Sequence, residues 1–404
     1  MPLSYAGWYQ PMLNLKKFHS STRPLIQAGI ADGSKAFTGP EHVVIDLTNR
    51  CNNTCIACWT RSPLLGKSGP DPDWHKETLD LQRTLKLIDE LYCSGTTIIR
   101  LTGGGEPFMH PGVLEIIRAV KSRGIFCSLT TNLNMVDREI ADELVAIGID
   151  EISVSLWAST PDEYVKTHPN QTPHAFEKIT RVLKHIARKK KTGRYTNPKR
   201  WFKKPLPKIS ILNVICNLNY DSVVSMFDYA LHVEADSIYY TVVDTIEGAT
   251  DSLLLSDEQR NVADQLCKTV VNKNACLPVG KRMTLDNFSG FRTRLQQATA
   301  AVGRYDQNTI NRIPCYIGWI FCRIMANGQV APCCRGVQIP MGNINKHSFA
   351  EIWHSSKYNK FRTRAKSRHK SDLYFSKVGC SKTCDNLMHN MEVHHWLGSE
   401  VDNG

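Results

Sequence analysis

At 404 residues and 45.6 kDa, with 42% hydrophobic and 22% charged residues, the chain is apolar enough to fold and too sparsely charged for a disordered segment. No run of about 18 apolar residues is present to span a membrane. The opening stretch also lacks the apolar core and small-residue cleavage site of a signal peptide, so the expected location is cytoplasmic. The formal net charge of +12 is local: residues 188–208 carry ten Lys or Arg and residues 357–370 carry seven, neither run containing an acid, and the rest of the chain is net negative.

Residues 1–40 form a lead-in of mixed character. His42–Leu47 is a short apolar strand running into Asn49, Arg50 and Cys51. Leucine or isoleucine at 81, 85, 88 and 91 predicts a helix over 78–93 with one buried face. Gly95 stops it, residues 96–101 are β-branched enough for the next strand, and Gly103-Gly104-Gly105-Glu106-Pro107 stands at that strand's C-terminal end. Helices over 113–123, 138–147, 176–190 and 220–232 then alternate with strands over 125–130, 151–156, 209–215 and 237–242. Six strands separated by helices predict an α/β fold with a parallel sheet and right-handed crossovers, functional residues lying at strand C-terminal ends. Residues 257–305 are mostly helical in pattern, and Ser348 with Glu351 forms a capping box that opens a basic helix. The expected division is a lead-in to 40, a main domain over 41–255, a helical linker over 256–310 and a second domain over 311–404.

The run at 188–208 interrupts the main domain, and Gly193, Pro198, Pro205 and Pro207 argue against one continuous helix there. Such an exposed positive loop attracts anionic substrates. Trp201 and Phe202 among the cations suit base stacking, but a solubilising insert is the simpler reading. No zinc-finger, RNP-type or helix-turn-helix signature points to nucleic acid.

Fourteen cysteines without an export signal suggest metal ligands or catalytic groups rather than a disulfide framework. Cys93, Cys127, Cys216, Cys267 and Cys276 are scattered and mostly fit as small buried hydrophobes. Cys51, Cys55 and Cys58 form a CxxxCxxC loop. Three thiolates so placed suit three irons of a cubane cluster with the fourth iron open, whereas structural zinc wants a fourth ligand that is not nearby. Spacing alone leaves both open.

DLTNRCNNTCIACW, followed by TGGGEP at the end of the next strand, resembles the radical SAM superfamily over residues 43–243. The resemblance implies a partial (β/α)6 TIM barrel and a [4Fe–4S] cluster on Cys51, Cys55 and Cys58 that binds S-adenosyl-L-methionine. It also implies reductive cleavage to a 5′-deoxyadenosyl radical, with a low-potential donor such as flavodoxin or ferredoxin as partner. Gly103, Gly104, Gly105, Glu106 and Pro107 match the element that receives the methionine ammonium. Thr131, Asn132, Ser153 and Ser155 match positions near the carboxylate and ribose, and Asn213 lies in a segment resembling that near the adenine. The residue before the third cysteine, usually aromatic in this family, is Ala57 here, with Trp59 just beyond Cys58.

Cys315, Gly328 and Cys333, with twelve and four residues between them, resemble the SPASM/twitch extension of many radical SAM enzymes, and Cys380 and Cys384 close the set. The resemblance implies one auxiliary [4Fe–4S] cluster on Cys315, Cys333, Cys380 and Cys384, with Cys322 or Cys334 as substitutes; a zinc knuckle is the alternative. Candidate hydrogen donors are Tyr239 and Tyr240, one of which the pleat sends inward, and Cys322. His389, His394 and His395 form no recognisable metal pattern.

Two substrate classes follow. A small anionic metabolite, dehydrogenated, epimerised or rearranged, is favoured by the single auxiliary cluster, the local positive charge and the shortness of residues 1–40 as a leader-binding domain. The alternative is maturation of a ribosomally made peptide or protein. A non-catalytic iron–sulfur or zinc scaffold comes third.

Overall fold

The computed structural model of the chain describes residues 22–192, 205–306, 310–367, 372–376, 380 and 382–401. Its parallel strands follow the β–α alternation: β1 (His42–Asp46), β2 (Ile98–Thr102), β3 (Phe126–Thr131), β4 (Glu151–Ser155), β5 (Lys208–Ile215), β6 (Ser237–Val242) and β7 (Thr284–Asp286). Three more strands come from the cysteine-rich region: β8 (Phe321–Ile324), β9 (Gln329–Ala331) and β10 (Gly342–Asn343). The helices between are closed by local chemistry. Asp80 and Asp137 accept backbone N–H groups at the starts of Leu81–Cys93 and Arg138–Ile147, and Gly148, at φ 73°, ends the latter in the left-handed region.

The chain groups into two compact units, neither of them one run of sequence. One comprises Asn53–Pro70 with Thr130–Gly303; the other comprises the described parts of Lys16–Asn52, Asp71–Leu129 and Arg304–Gly404. In the second unit the strand order is β10-β9-β8-β1-β2-β3, with β1 parallel to both β2 and β8. In the first it is β4-β5-β6-β7, all parallel.

Each set of strands has two chemically different faces, as the twofold pleat requires. In the second unit Val43, Ile45, Ile99, Leu101, Cys127, Leu129, Cys322 and Ile324 are fully buried on one face. The register places Asp46, Arg100, Ser128 and Arg323 on the other. In the first unit Ile152, Val154, Ile209, Ile211, Ile238 and Tyr240 are buried, and Glu151, Ser153, Lys208, Ser210 and Tyr239 share the opposite face. Each fully buried aliphatic side chain contributes about 1.5–3 kcal/mol, so the apolar face fixes strand register and helix placement together.

Several expectations are corrected. The segment read as mostly helical also contains β7, and the cysteine-rich region supplies β8, which hydrogen-bonds beside β1. Residues 23–32 of the lead-in form a helix: a Cβ on Gly29 would lie 2.8 Å from Trp319 Cδ1, and Trp319 Nε1 donates to Lys35 O at 2.8 Å. The capping box at Ser348 and Glu351 is formed, but it opens only Phe349–Trp353, and the basic residues lie on the next helix, Ser356–Ser367. Of the scattered cysteines, Cys127, Cys216 and Cys267 are buried, whereas Cys93 and Cys276 are exposed.

Neither charge run is simply a solvated face. Lys190 is buried at the end of helix Pro173–Thr192, donating to Pro207 O at 3.1 Å and pairing with Asp236. Lys189 pairs with Asp142 at 3.1 Å, Lys191 with Glu234, and Lys208 with Asp286 at 2.7 Å. Residues 193–204, including Trp201 and Phe202, lie outside the described residues. On the second run Arg362 is fully buried, giving 2.8 Å hydrogen bonds to Gly318 O, Asn359 Oδ1 and Trp353 O beneath the Trp353 and Tyr358 rings.

Candidate active site

The CxxxCxxC loop begins where β1 ends. Its three thiols are partly exposed and none is in a disulfide. A tight turn closes between Cys58 N and Cys55 O at 3.0 Å. Within the first unit the loop is braced by residues that carry no sequence signal of the role. Asn53 Oδ1 accepts from Asn134 Nδ2 at 3.1 Å and Gln171 Nε2 at 2.9 Å. Thr54 N donates to Asn170 Oδ1 at 2.8 Å, and Ile56 N to Thr167 O at 2.9 Å. Trp59, more than a third exposed, is anchored through Nε1 to Asp244 O at 2.8 Å.

In the second unit the glycine turn lies against the residues that lead into Cys51. Cβ atoms on Gly104 and Gly105 would fall 2.2 Å from Asn49 Oδ1 and 1.9 Å from Arg50 O, distances no side chain tolerates. Glu106 N donates to Arg50 O at 2.7 Å. The buried Glu106 carboxylate accepts from Phe108 N at 3.2 Å, capping the turn Pro107–Met109. The glycines are thus required by close packing, whatever else they contact.

The other expected cofactor residues fall into two groups. Ser153 and Ser155 lie on the polar face of β4, Ser153 Oγ standing 3.4 Å from Glu151 Oε1. Thr131 Oγ1 and Asn132 Oδ1 accept from Leu133 N at 2.9 Å and Asn134 N at 3.0 Å, so each satisfies the local backbone. Asn213 lies on the other face. It is fully buried, registers with Tyr240, and belongs to the helix-covered face; Lys208, Leu212 and Val214 are the partly open positions of β5.

Of the donor candidates, Tyr239 is on the polar face of β6. Tyr240 is on the other, fully buried, its hydroxyl donating to Val223 O at 2.8 Å and its ring stacked on Phe291. Burial pushes its phenol well above the ordinary value. Cys322 likewise points under the helices, fully buried, its thiol raised by desolvation.

The C-terminal cysteines separate cleanly. Cys315, Cys333, Cys380 and Cys384 line one cavity, walled by apolar side chains such as Ile339 and Phe375. Burial and then the neighbouring thiols hold Cys333 and Cys384 well above the ordinary cysteine value. Cys322 does not line that cavity; nor does Cys334, whose thiol is raised to about 12 by burial and whose carbonyl faces Arg323 Nη1 at 3.5 Å. Asp306, missed in the sequence, positions the CxxxC turn: its Oδ2 accepts from Thr383 Oγ1 at 2.8 Å and Cys384 N at 2.9 Å. Gly328, at φ 81°, closes the turn between β8 and β9.

This donor set fits an iron–sulfur cluster. Four thiols spread around an apolar cavity suit a cluster with volume, whereas zinc, with bonds of about 2.3 Å, draws its ligands to a point. Among the described residues no three or more His, Cys, Asp or Glu side chains gather tightly enough for a single metal ion. No described helix is long and apolar enough to cross a membrane.

Residues 45–199 match the radical SAM superfamily, and residues 315–384, bounded by two of the four cavity cysteines, match the SPASM iron–sulfur cluster-binding domain. The tungsten-containing aldehyde ferredoxin oxidoreductase cofactor-modifying protein of Pyrococcus furiosus is 23% identical over 85% of this chain and 89% of its own length. Streptococcus suis SuiB bound to precursor peptide SuiA shares the fold at TM-score 0.60, with 13% identity, over 94% of this chain and 78% of SuiB. Native anSMEcpe with bound AdoMet and Cp18Cys peptide gives 0.55, with 14% identity, over 86% and 89%. The chain carries a radical SAM superfamily domain followed by a SPASM iron–sulfur cluster-binding domain, and is a radical SAM enzyme.

Proposed function

We propose that the chain matures a peptide or protein substrate by hydrogen-atom abstraction. Cys51, Cys55 and Cys58 hold the cluster that takes S-adenosylmethionine, and Cys315, Cys333, Cys380 and Cys384 hold one auxiliary cluster. When bound, the first cluster with S-adenosylmethionine supplies a 5′-deoxyadenosyl radical. The observation that carries the peptide reading is the fold shared over 94% of the chain with SuiB, a protein bound to its precursor peptide, with anSMEcpe and its peptide in support.

The chain's own residues then have the following parts. Asn53, Thr54 and Ile56, held from 134 and 167–171, keep the cysteine loop in one shape. The turn Gly103–Pro107 receives the methionine end, Trp59 borders the adenine, and Ser153 and Ser155 offer hydroxyls to the ribose. Tyr239, on the polar face, is the tyrosine placed to return a hydrogen. A small flavodoxin- or ferredoxin-type donor supplies the electron.

The test is anaerobic incubation of the reconstituted enzyme with S-adenosylmethionine, a low-potential reductant and a short peptide encoded beside its gene. A changed peptide mass, with 5′-deoxyadenosine formed in step and both lost in Cys55→Ala, supports the reading. Unchanged peptide alongside turnover of a small acid sinks it. That second outcome belongs to a cofactor-like small anionic substrate, which the similarity to the Pyrococcus furiosus cofactor-modifying protein favours. The basic run lends this second reading less than its composition suggests, because Lys189, Lys190, Lys191 and Lys208 are already paired with acids.

A further inference from the structure

Two N–H groups point at sulfur in the auxiliary cavity. Gly336 N donates to Cys333 Sγ at 3.1 Å, and Asn390 Nδ2 reaches Cys315 Sγ at 3.9 Å. The backbone donor comes with the turn after Cys333. The side-chain donor is a choice of this sequence, and its orientation is fixed. Asn390 lies on helix Leu387–Val401, is buried, and its Oδ1 accepts from Tyr316 N at 2.7 Å. Flipping the amide would set an NH2 against Tyr316 N–H and an oxygen against Cys315 sulfur, losing both hydrogen bonds. The amide can therefore offer Cys315 only its N–H.

We propose that Asn390 is a positioning residue that sets the reduction potential of the auxiliary cluster, an inference resting on the assignment of Cys315, Cys333, Cys380 and Cys384 as its ligands. A hydrogen bond to a ligating sulfur withdraws negative charge and favours the more electron-rich, reduced cluster. In a cavity lined mostly by apolar side chains, with Arg335 and Asp385 also in its wall, that effect is only partly screened. Asn390 thus raises the potential at one corner, as Gly336 N–H does at another, and makes the cluster a better electron acceptor.

The experiment uses the full-length Cys51→Ala/Cys55→Ala/Cys58→Ala chain, reconstituted so that the auxiliary cluster stands alone, and reads its midpoint potential by EPR-monitored redox titration. Asn390→Leu removes the donor without adding charge. Asn390→Asp keeps an acceptor for Tyr316 N while removing the donor and adding a negative charge. The expected result is about four irons per chain in all three proteins, with both variants at lower potential than the parent and the Asp variant lowest. Full iron with an unshifted potential in both variants overturns the proposal. Loss of iron in both makes Asn390 a structural support and overturns it equally; if only the Leu variant loses iron, the potential of the Asp variant decides. A parent that binds no cluster overturns the ligand assignment, and the proposal with it.

Discussion

Each cysteine near the C-terminus has a role that its surroundings decide. Cys384 lines the cavity and is pinned through its backbone to Asp306, whereas Cys322 is packed on the helix-covered face of β8. Cys384→Ala should reduce iron in the reconstituted enzyme from about eight per chain to about four, while Cys322→Ala keeps the full complement. Iron and acid-labile sulfide assays separate the two outcomes; loss of a cluster in Cys322→Ala would reject the assignment. Arg362 makes a different case. It is buried with no carboxylate partner among the described residues, and desolvation lowers its guanidinium to about 10. What keeps it is three carbonyl acceptors and two aromatic faces. Arg362→Met strips those acceptors and should cost about 3 kcal/mol, read as a lower denaturation midpoint.

At the scale of elements, the turn Gly103–Pro107 and the lead-in to Cys51 form one packed pair. Gly105→Ala puts a methyl on the Arg50 carbonyl, so it should deplete the first cluster and abolish 5′-deoxyadenosine formation while far-ultraviolet circular dichroism is unchanged. A fully active Gly105→Ala enzyme would show that the turn yields. The same scale shows what the sequence could and could not convey. Six strands were legible because short apolar or β-branched runs alternate with period-3.6 stretches. The three residues of β7 and the four of β8 are too short for periodicity, and β8 is hidden in the stretch 316–326, apolar but for Arg323. The cavity cysteines were legible from spacing and resemblance. Asn134, Asn170 and Gln171 were not, because they meet the cysteine loop from 81, 116 and 118 residues away, and nothing local marks such contacts. Asn213 was legible as a strand residue, but its face follows from register, which only the paired strand supplies.

For the molecule as a whole, acid should be a destabilising agent with an identifiable source. His168 is fully buried, stacked on Tyr164, and desolvation lowers it from near 6.5 to about 4. Between those values the unfolded chain binds a proton that the folded chain refuses, so stability falls as pH drops from about 6.5 towards 4, by about 3 kcal/mol at the end of that span. His42, lowered well below its ordinary value by burial, acts in the same direction. Urea midpoints measured across that range should slope downward toward acid, and His168→Asn should flatten the slope. An unchanged slope in that variant would place the acid sensitivity elsewhere.

The parallel pairing of β8 with β1 has a consequence for how the chain is made. Arg323 and Asp46, joined by an ion pair at 2.7 Å, are 277 residues apart in sequence. At about 5–20 residues per second, the ribosome delivers β8 on the order of 15–60 s after β1. Throughout that interval the outer edge of β1 has no strand beside it, and an unpaired edge recruits any strand that passes. Slowing translation after residue 46 should therefore lengthen the window for misassembly, and holding chaperones on the nascent chain until β8 emerges should raise the soluble yield.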